Sequence, residues 1–130
     1  MKIIDGTNSV LGRLASYVAK ELLKGEEIVV VNSEKVIITG NKKTTEREFK
    51  EKRSRVGSGQ KGPKLSRSAD RIVKRTIRGM LPNHRFGRGR EAWKKIKCYV
   101  NVPKEFQDKK MIKAGKPKTC KSSEVKEFSK

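Results

Sequence analysis

The sequence predicts a small α/β protein: a three-layer α/β/α sandwich around a short, mostly parallel central sheet of about four strands, with basic loops and a basic tail. Two observations predict this class. Short β-branched runs alternate with longer segments whose apolar residues recur at helical spacing. The chain has 130 residues, which is enough for one domain with an ordinary core. Strands that alternate with helices in this way are typical of a small sheet covered by helices.

The first forty residues are predicted to form the scaffold. Apolar residues at positions 11, 14, 15, 18 and 22 recur at helical spacing, so one face of this helix is expected to be buried. The β-branched run around Val29 is typical of a strand that is buried on both faces. In order, this part predicts strand 2–5, helix 10–23, strand 27–32 and strand 36–39. The link between the last two is too short for a parallel crossover, so their relation stays open.

The middle of the chain predicts two longer helices and a short one. Thr45 followed by Glu48 forms a capping box that would open a charged helix, and Ser68 would cap a second helix. The segment between them is rich in glycine and cations and is predicted to be a mobile basic loop. In order, this part predicts helix 45–54, loop 55–67, helix 69–80, a basic turn at 83–90, a helical stretch at 91–96 and a final strand at 98–102.

Pro103 marks the predicted end of a single α/β domain that takes residues 1–103, and residues 104–130 are predicted to be a basic C-terminal extension. The residues after Pro103 include nine basic, four acidic and only scattered apolar ones. Such a segment buries too little apolar surface to offset the entropy of ordering it, so we expect it to be dispensable for folding. At most a short helix is predicted near residues 123–128.

The charge of the chain is strongly basic and unevenly distributed. Lys and Arg total 34 against 14 Asp and Glu, which gives a net charge of +20. Residues 1–40 are neutral overall, residues 41–100 carry +15 and residues 101–130 carry +5. A compact fold with this charge repels itself unless a polyanion neutralises it, and the candidates are RNA, DNA and an anionic membrane surface. The longest apolar runs are far too short to span a membrane, so no membrane partner is expected.

The helix predicted at 69–80 carries the sharpest functional signal. Its apolar residues centre on one side, whereas its cations fall within an arc of about 100° on the other. A merely solvated helix face normally includes acidic residues that relieve the repulsion, and no acidic residue falls within this arc. We therefore predict a phosphate-binding face formed by Arg71, Lys74, Arg75 and Arg78.

Residues 81–90 are predicted to continue this surface. Arginine pairs two phosphate oxygens with its planar fork and also stacks on bases, and glycines let the backbone approach closely. His84 and Phe86 could stack on an unpaired base; equally, Phe86 could belong to the core and His84 to a turn. The complete set of predicted RNA-binding residues is Arg53, Arg55, Lys61, Lys64, Arg67, Arg71, Lys74, Arg75, Arg78, His84, Arg85, Arg88, Arg90, Lys94 and Lys95.

No motif in the sequence indicates catalysis or metal binding. The turn at residues 6–13 lies between a strand and a helix, as phosphate-binding loops do. Its glycines, Gly6 and Gly12, lack Walker spacing and are not followed by the Lys and Ser or Thr that this motif needs. His84 is the only histidine, and Cys98 and Cys120 match no zinc spacing. We therefore expect no enzyme activity, no cofactor, no metal and no small-molecule substrate.

Several stretches of the chain resemble one known family. They are Ile4-Asp-Gly-Thr, Leu11-Gly-Arg-Leu-Ala15, the run from Val31 to Lys42, Arg78-Gly-Met-Leu-Pro-Asn-His-Arg-Phe-Gly-Arg-Gly-Arg90 and Lys97-Cys-Tyr-Val. Together they extend from Ile4 to about Pro103, and Gly-Met-Leu-Pro followed by Gly-Arg is the most specific. On these motifs the chain resembles family thirteen of the large-subunit ribosomal proteins, in its archaeal form.

The resemblance implies an α/β/α sandwich bound to large-subunit rRNA beside neighbouring ribosomal proteins, with a role in subunit assembly. It also implies a cytoplasmic location in the ribosome and no catalysis. By motif position it assigns RNA contacts to Arg78, Arg85, Arg88 and Arg90; the other candidates rest on charge alone. The alternative is a general nucleic-acid-binding or translation-regulatory RNA-binding protein. A DNA-packaging protein fits the charge equally, and a small nucleotide-binding enzyme fits least.

Overall fold

Four helices and six short strands make up the part of the chain that the computed structural model describes, residues 1–62, 64–115 and 120–129. Single 3₁₀ turns lie at Ser33–Lys35, Ser58–Gln60, Lys104–Phe106 and Val125–Phe128. The elements are, in order, β1 (Lys2–Asp5), α1 (Leu11–Leu23), β2 (Ile28–Val31), β3 (Ile37–Thr39), α2 (Lys42–Ser54), α3 (Ala69–Met80), α4 (Gly87–Lys94), β4 (Ile96–Cys98), β5 (Ile112–Lys113) and β6 (Ser122–Glu124).

The central sheet has four strands in the order β4-β2-β1-β5, and all neighbouring pairs are parallel. This confirms the predicted α/β class with a small parallel sheet. β3 does not join it: the chain leaves β2 through Asn32, which has a φ of 55°, and β3 pairs antiparallel with β6 in a separate two-stranded sheet. The pairing that the sequence left open is thus resolved, and the fourth strand of the central sheet is β5, which was not predicted.

The two faces of the central sheet are covered unequally. Because side chains alternate along a strand, Ile4, Ile28 and Val30 pack with the buried faces of α1, α3 and α4 in the main core. Ile3, Val29 and Val31 face the other way and pack with the segment around Phe106. Since that segment contains one 3₁₀ turn instead of a long helix, the third layer of the sandwich is thin.

Helix α2 begins three residues earlier than predicted. The Asn41 side-chain carbonyl accepts a hydrogen bond from the Lys43 backbone N–H at 3.1 Å, so Asn41 is the N-cap. Thr45 lies inside the helix, where its hydroxyl donates to the Asn41 carbonyl at 3.2 Å. The predicted capping box of Thr45 and Glu48 is therefore wrong, because an Asn that precedes it caps first.

The basic segment after Pro82 is also more regular than predicted. α4 begins at Gly87, so the expected turn at 83–90 is a turn only as far as Phe86. The Asn83 side-chain carbonyl accepts from the Arg85 backbone N–H at 3.0 Å and holds that turn. The strand expected at 98–102 shares only Cys98 with the observed strand β4, which begins at Ile96, opposite Ile28 of β2, and ends at Cys98.

The residues after Pro103 pack into the fold. Val125 and Phe128 are buried, and the Phe128 ring stacks on Phe49 of α2 with their centroids 5.4 Å apart. The Val125 N–H donates to the Val36 carbonyl at 2.8 Å, and the Arg53 guanidinium donates to the Phe128 carbonyl. The expectation that this segment buries too little apolar surface is therefore wrong. The division of the chain at residue 103 stays a prediction.

A nearly buried carboxylate joins α1 to β1. Glu21 accepts from the Nζ of Lys2 and the Nζ of Lys24, each at 2.6 Å. The hydrogen bond and charge of Lys2, followed by those of Lys24, hold the pKa of Glu21 down to about 2, against an ordinary value of 4.5. Glu21 therefore stabilises the folded protein above its ordinary pKa, and this contribution is lost as the pH falls towards its folded-state pKa.

We expect Glu21→Gln to lower the melting temperature at neutral pH, because the two ammonium groups lose their shared partner. The deficit should shrink as the pH falls from about 4.5 towards about 2, the range over which the wild-type carboxylate takes up its proton. Thermal melts of both proteins across this range give the measurement. Glu48→Gln on the exposed surface of α2 is the control and should have little effect at any pH. A deficit for Glu21→Gln that does not change with pH would contradict this.

Candidate nucleic-acid interface

Helix α3 separates apolar from cationic residues as its spacing predicts. Ile72, Val73 and Ile77 are buried in the main core. On the other side Arg71 and Arg75 are exposed, whereas Lys74 and Arg78 are half-buried. Met80, the last residue of the helix, is 41% exposed. The backbone of α3 thus holds four cations at fixed spacing against a rigid core.

The side chain of Trp93, on α4, lies against cations of α3 and helps to turn this face into a groove. We call it the α3 groove; its lining residues are Lys64, Ser66, Arg71, Lys74, Arg75, Arg78 and Trp93. The Lys74 Nζ lies 4.9 Å from the centroid of the Trp93 ring, and the Arg78 Cζ lies 5.9 Å from it. Both cations are therefore held by the negative face of the indole. Trp93 also packs against the main core, and no local pattern in the sequence indicates its partners on another helix.

The cations of the α3 groove lack acidic partners within the described residues. Ion pairs do occur on the neighbouring α2, where Lys50 pairs with Glu46 and Arg55 with Glu51. None of the described ion pairs includes Arg71, Lys74, Arg75 or Arg78. The nearby Asp70 is half-buried and bonded to the Ser68 hydroxyl. Like charges this close repel, so the groove is suited to a ligand that carries negative charge.

The turn before α4 and the first residues of this helix present a second group of predicted residues. Arg85, Arg88 and Arg90 are exposed, and His84 is half-buried. Gly89 lies so close to the turn that a Cβ atom on it would be 2.4 Å from the carbonyl oxygens of both Pro82 and Asn83. We call residues 82–90, which are this turn together with the first four residues of α4, the arginine turn. Its backbone is fixed by this contact and by the hydrogen bond from the Arg85 N–H to Asn83.

The remaining predicted RNA-binding residues lie outside these two groups. Arg53 binds the Phe128 carbonyl and lies over the Phe49 ring at 5.5 Å, and Arg67 lines the same depression. Arg55 pairs with Glu51 at 3.0 Å, and Lys61 lies in an exposed turn. Lys94 and Lys95 flank the amino ends of the strands, where the Lys95 Nζ donates to the Gly25 carbonyl at 3.0 Å. The structure thus brings together Lys64 and the four cations of α3, with the arginines of residues 85–90 on the adjoining turn and helix.

The turn after β1 does not offer a phosphate cradle. The N–H groups of Gly6 and Asn8 donate to the carbonyls of Val31 and Lys35, at 3.0 and 3.1 Å. That of Ser9 donates to the Gly6 carbonyl at 3.1 Å, and that of Thr7 to the Asp5 carboxylate at 3.0 Å. These four donors are used inside the protein, whereas a phosphate-binding loop directs such groups at its ligand.

The described part of the chain also bears on thiol reactivity, metal binding and the spanning of a membrane. Burial raises the pKa of the Cys98 thiol to about 12, so the thiol stays protonated at neutral pH. No three His, Cys, Asp or Glu side chains among the described residues are grouped to hold a metal ion. Of the described helices, none is long and apolar enough to cross a membrane.

The fold and the groove together define a small, strongly basic α/β protein with one face suited to a polyanion. The family described as Ribosomal protein L13 matches residues 1–105. The chain belongs to this family, whose members are large-subunit ribosomal proteins and not enzymes. The resemblance seen in the sequence motifs is thereby confirmed.

Three relatives from archaea illustrate the similarity, and each is named large ribosomal subunit protein uL13. The protein of Methanosarcina barkeri is 52% identical over 113 residues, which cover 86% of this chain and 79% of the relative. That of Archaeoglobus fulgidus is 48% identical over 85% of this chain and 70% of the relative. That of Thermoplasma volcanium is 45% identical over 93% of this chain and 88% of the relative.

Proposed function

We propose that this protein binds and stabilises folded large-subunit rRNA through the α3 groove and the arginine turn, and so supports assembly of the subunit. The observation that carries the proposal is the groove itself, in which cations from α3 and Lys64 converge without an acidic partner among the described residues. Its place is in the cytoplasmic ribosome, beside neighbouring large-subunit proteins. Membership in the family supports the large ribosomal subunit as the assembly, and the cations of the α3 groove can bind the phosphates of its RNA.

The contacts that we propose for the α3 groove are contacts to phosphate, which position the protein on the RNA. Arg71 and Arg75 are exposed and can direct their planar forks at phosphate oxygens. Lys74 and Arg78 are held near the Trp93 ring, which leaves them less entropy to lose on binding. Phosphate contacts fix where the protein sits on a folded RNA but do not read its sequence. Selection of one rRNA site must then come from the shape of the RNA and from further contacts.

Replacing one groove cation, as in Arg71→Gln or Arg75→Gln, should reduce the salt dependence of rRNA binding. Each phosphate that the protein neutralises releases condensed counterions, so one lost contact lowers the slope of log K against log salt by roughly one unit at most. The measurement is a salt titration of binding to a large-subunit rRNA transcript, with duplex DNA as competitor. Melting temperatures should barely change, because these side chains are exposed.

Two matched controls accompany these variants. Lys52→Gln removes an exposed cation on α2 that is paired with Glu48, and it should leave the slope unchanged. Ile72→Ala opens a cavity beneath α3, so it should destabilise the protein and leave the slope unchanged. Unchanged slopes for every α3 variant would place the RNA-binding face elsewhere. Equal affinity for duplex DNA and rRNA would favour a general nucleic-acid-binding protein.

A further inference from the structure

Phe86 is exposed in a way that the fold does not explain. Its exposed fraction is 67%, the highest among the large apolar side chains of the described residues. The core alternative left open by the sequence is thereby excluded. It has no aromatic or cation–π partner within the described part of the chain, whereas Trp93 is already engaged by Lys74 and Arg78. The segment that leads into α4 thus includes an exposed aromatic ring that has no such partner among the described residues.

The backbone that carries Phe86 is held in place on both sides. Before it, the Asn83 side chain accepts from the Arg85 N–H at 3.0 Å. After it, α4 begins, and Gly89 packs directly against the carbonyls of Pro82 and Asn83. An exposed ring on a fixed backbone loses little freedom on binding, which favours a defined contact over a mobile one.

The position of Phe86 relates it to the α3 groove. It immediately precedes α4, the helix whose Trp93 lines that groove. Its chain neighbour Arg85 and the nearby Arg88 and Arg90 are exposed and take part in none of the described ion pairs. An aromatic ring among unpaired arginines fits a nucleotide, because the ring stacks on the base while the guanidinium groups meet its phosphates.

We propose that Phe86 stacks on an unpaired base of the bound RNA, with Arg85 and Arg88 binding the phosphates that flank this base. The inference rests on the proposed function and deepens it. The α3 groove positions the protein on folded RNA, and the ring selects a place where a base is unstacked and accessible. Duplex RNA offers no such base, so this contact supplies selectivity that phosphate binding lacks.

The test is equilibrium binding of Phe86 variants to a large-subunit rRNA transcript, combined with chemical probing of its unpaired bases. Phe86→Ala should weaken binding by about 5- to 150-fold, the range typical of one lost stacking contact, with an unchanged salt slope. Phe86→Tyr should retain the affinity, whereas Phe86→Leu, which is apolar but not aromatic, should lose it. One unpaired base that the wild-type protein protects should become reactive with Phe86→Ala.

Tyr17→Ala is the matched control, since Tyr17 is an exposed aromatic on α1, in the electrically neutral part of the chain. It should leave RNA binding unchanged, and thermal melts should show that all variants are folded. If Phe86→Ala binds like the wild type, or if Phe86→Leu retains the affinity, the stacking proposal is wrong and the ring faces a neighbouring protein or an apolar contact. The variants of the α3 groove test the proposed function separately from the stacking proposal. If Arg71→Gln lowers the salt slope while Phe86→Ala has no effect, the proposed function stands and only the stacking proposal fails.

Discussion

A chain truncated after Pro103 should lose about 5 kcal/mol or more of its free energy of unfolding. The truncation removes Phe106, Val125 and Phe128, which are at most 7% exposed, and each buried side chain of this kind contributes about 1.5–3 kcal/mol. It also removes β5, which pairs with one edge of β1, and β6, which pairs with β3. Since small domains are stable by only about 5–15 kcal/mol, the truncated chain should be largely unfolded or close to it. Urea denaturation of the truncated and full-length chains is the measurement.

Point variants in the full-length chain show whether the lost stability comes from the packing of individual side chains or from the shortening of the chain. Phe128→Ala should cost about 3–5 kcal/mol, because it removes the ring that stacks on Phe49 and leaves a cavity. Lys126→Gln, an exposed change in the same 3₁₀ turn, should stay within about 0.5 kcal/mol. A truncated chain that melts cooperatively near the full-length temperature would show that residues 1–103 form a domain of their own.

Among substitutions that add one methyl group near the arginine turn, Gly89→Ala should destabilise the fold most. The new Cβ would lie 2.4 Å from two backbone carbonyl oxygens, those of Pro82 and Asn83, and neither can rotate away as a side chain would. Either the turn or the start of α4 must move, at a cost of about 3 kcal/mol, the upper end of what overpacking usually costs. Because the same turn carries Arg85 and Phe86, affinity for the rRNA transcript should fall as well.

The same substitution at Gly79 is the control. Gly79 lies in α3 and does not have a positive φ, and a Cβ atom added to it would meet no neighbouring element within 4 Å. Gly79→Ala should therefore stabilise the protein by about 0.5–1 kcal/mol, because alanine favours a helix over glycine. Thermal and urea unfolding of the two variants should give opposite signs. Similar effects of both would mean that Gly89 is not in close contact with the turn.

Local sequence patterns were enough to predict the helices whose apolar residues recur at helical spacing. α1 and α3 each have a complete apolar stripe, so the burial of Leu14 or Ile77 could be inferred without knowing the partner. β5 and β6 have two and three residues and no apolar alternation. They are strands only because β1 and β3 offer open edges, and such pairing is a property of the assembled fold. The sequence of the segment after Pro103 therefore looked dispensable.

The candidate site, too, could be predicted from the sequence only in part. The four cations of α3 share one helix, so their common face follows from helical geometry. The position of Trp93 near Lys74 and Arg78 depends on where the fold places α4 relative to α3, which no local spacing encodes. Arg53 is similar: on α2 alone it resembles an exposed cation, but the docked Phe128 carbonyl gives it a structural partner. Its proposed contact with RNA stays a prediction.

The pairing of Ile4 with Ile112 joins strands that lie far apart in the sequence. During synthesis β1 is made long before its neighbour β5. Contacts between residues so distant in sequence form slowly, because a long loop must close before they contribute. Until that happens one edge of β1 has unpaired amide and carbonyl groups that can pair with strands of other chains. Newly synthesised chains are therefore vulnerable to aggregation through β1 until residues 112–113 have been made.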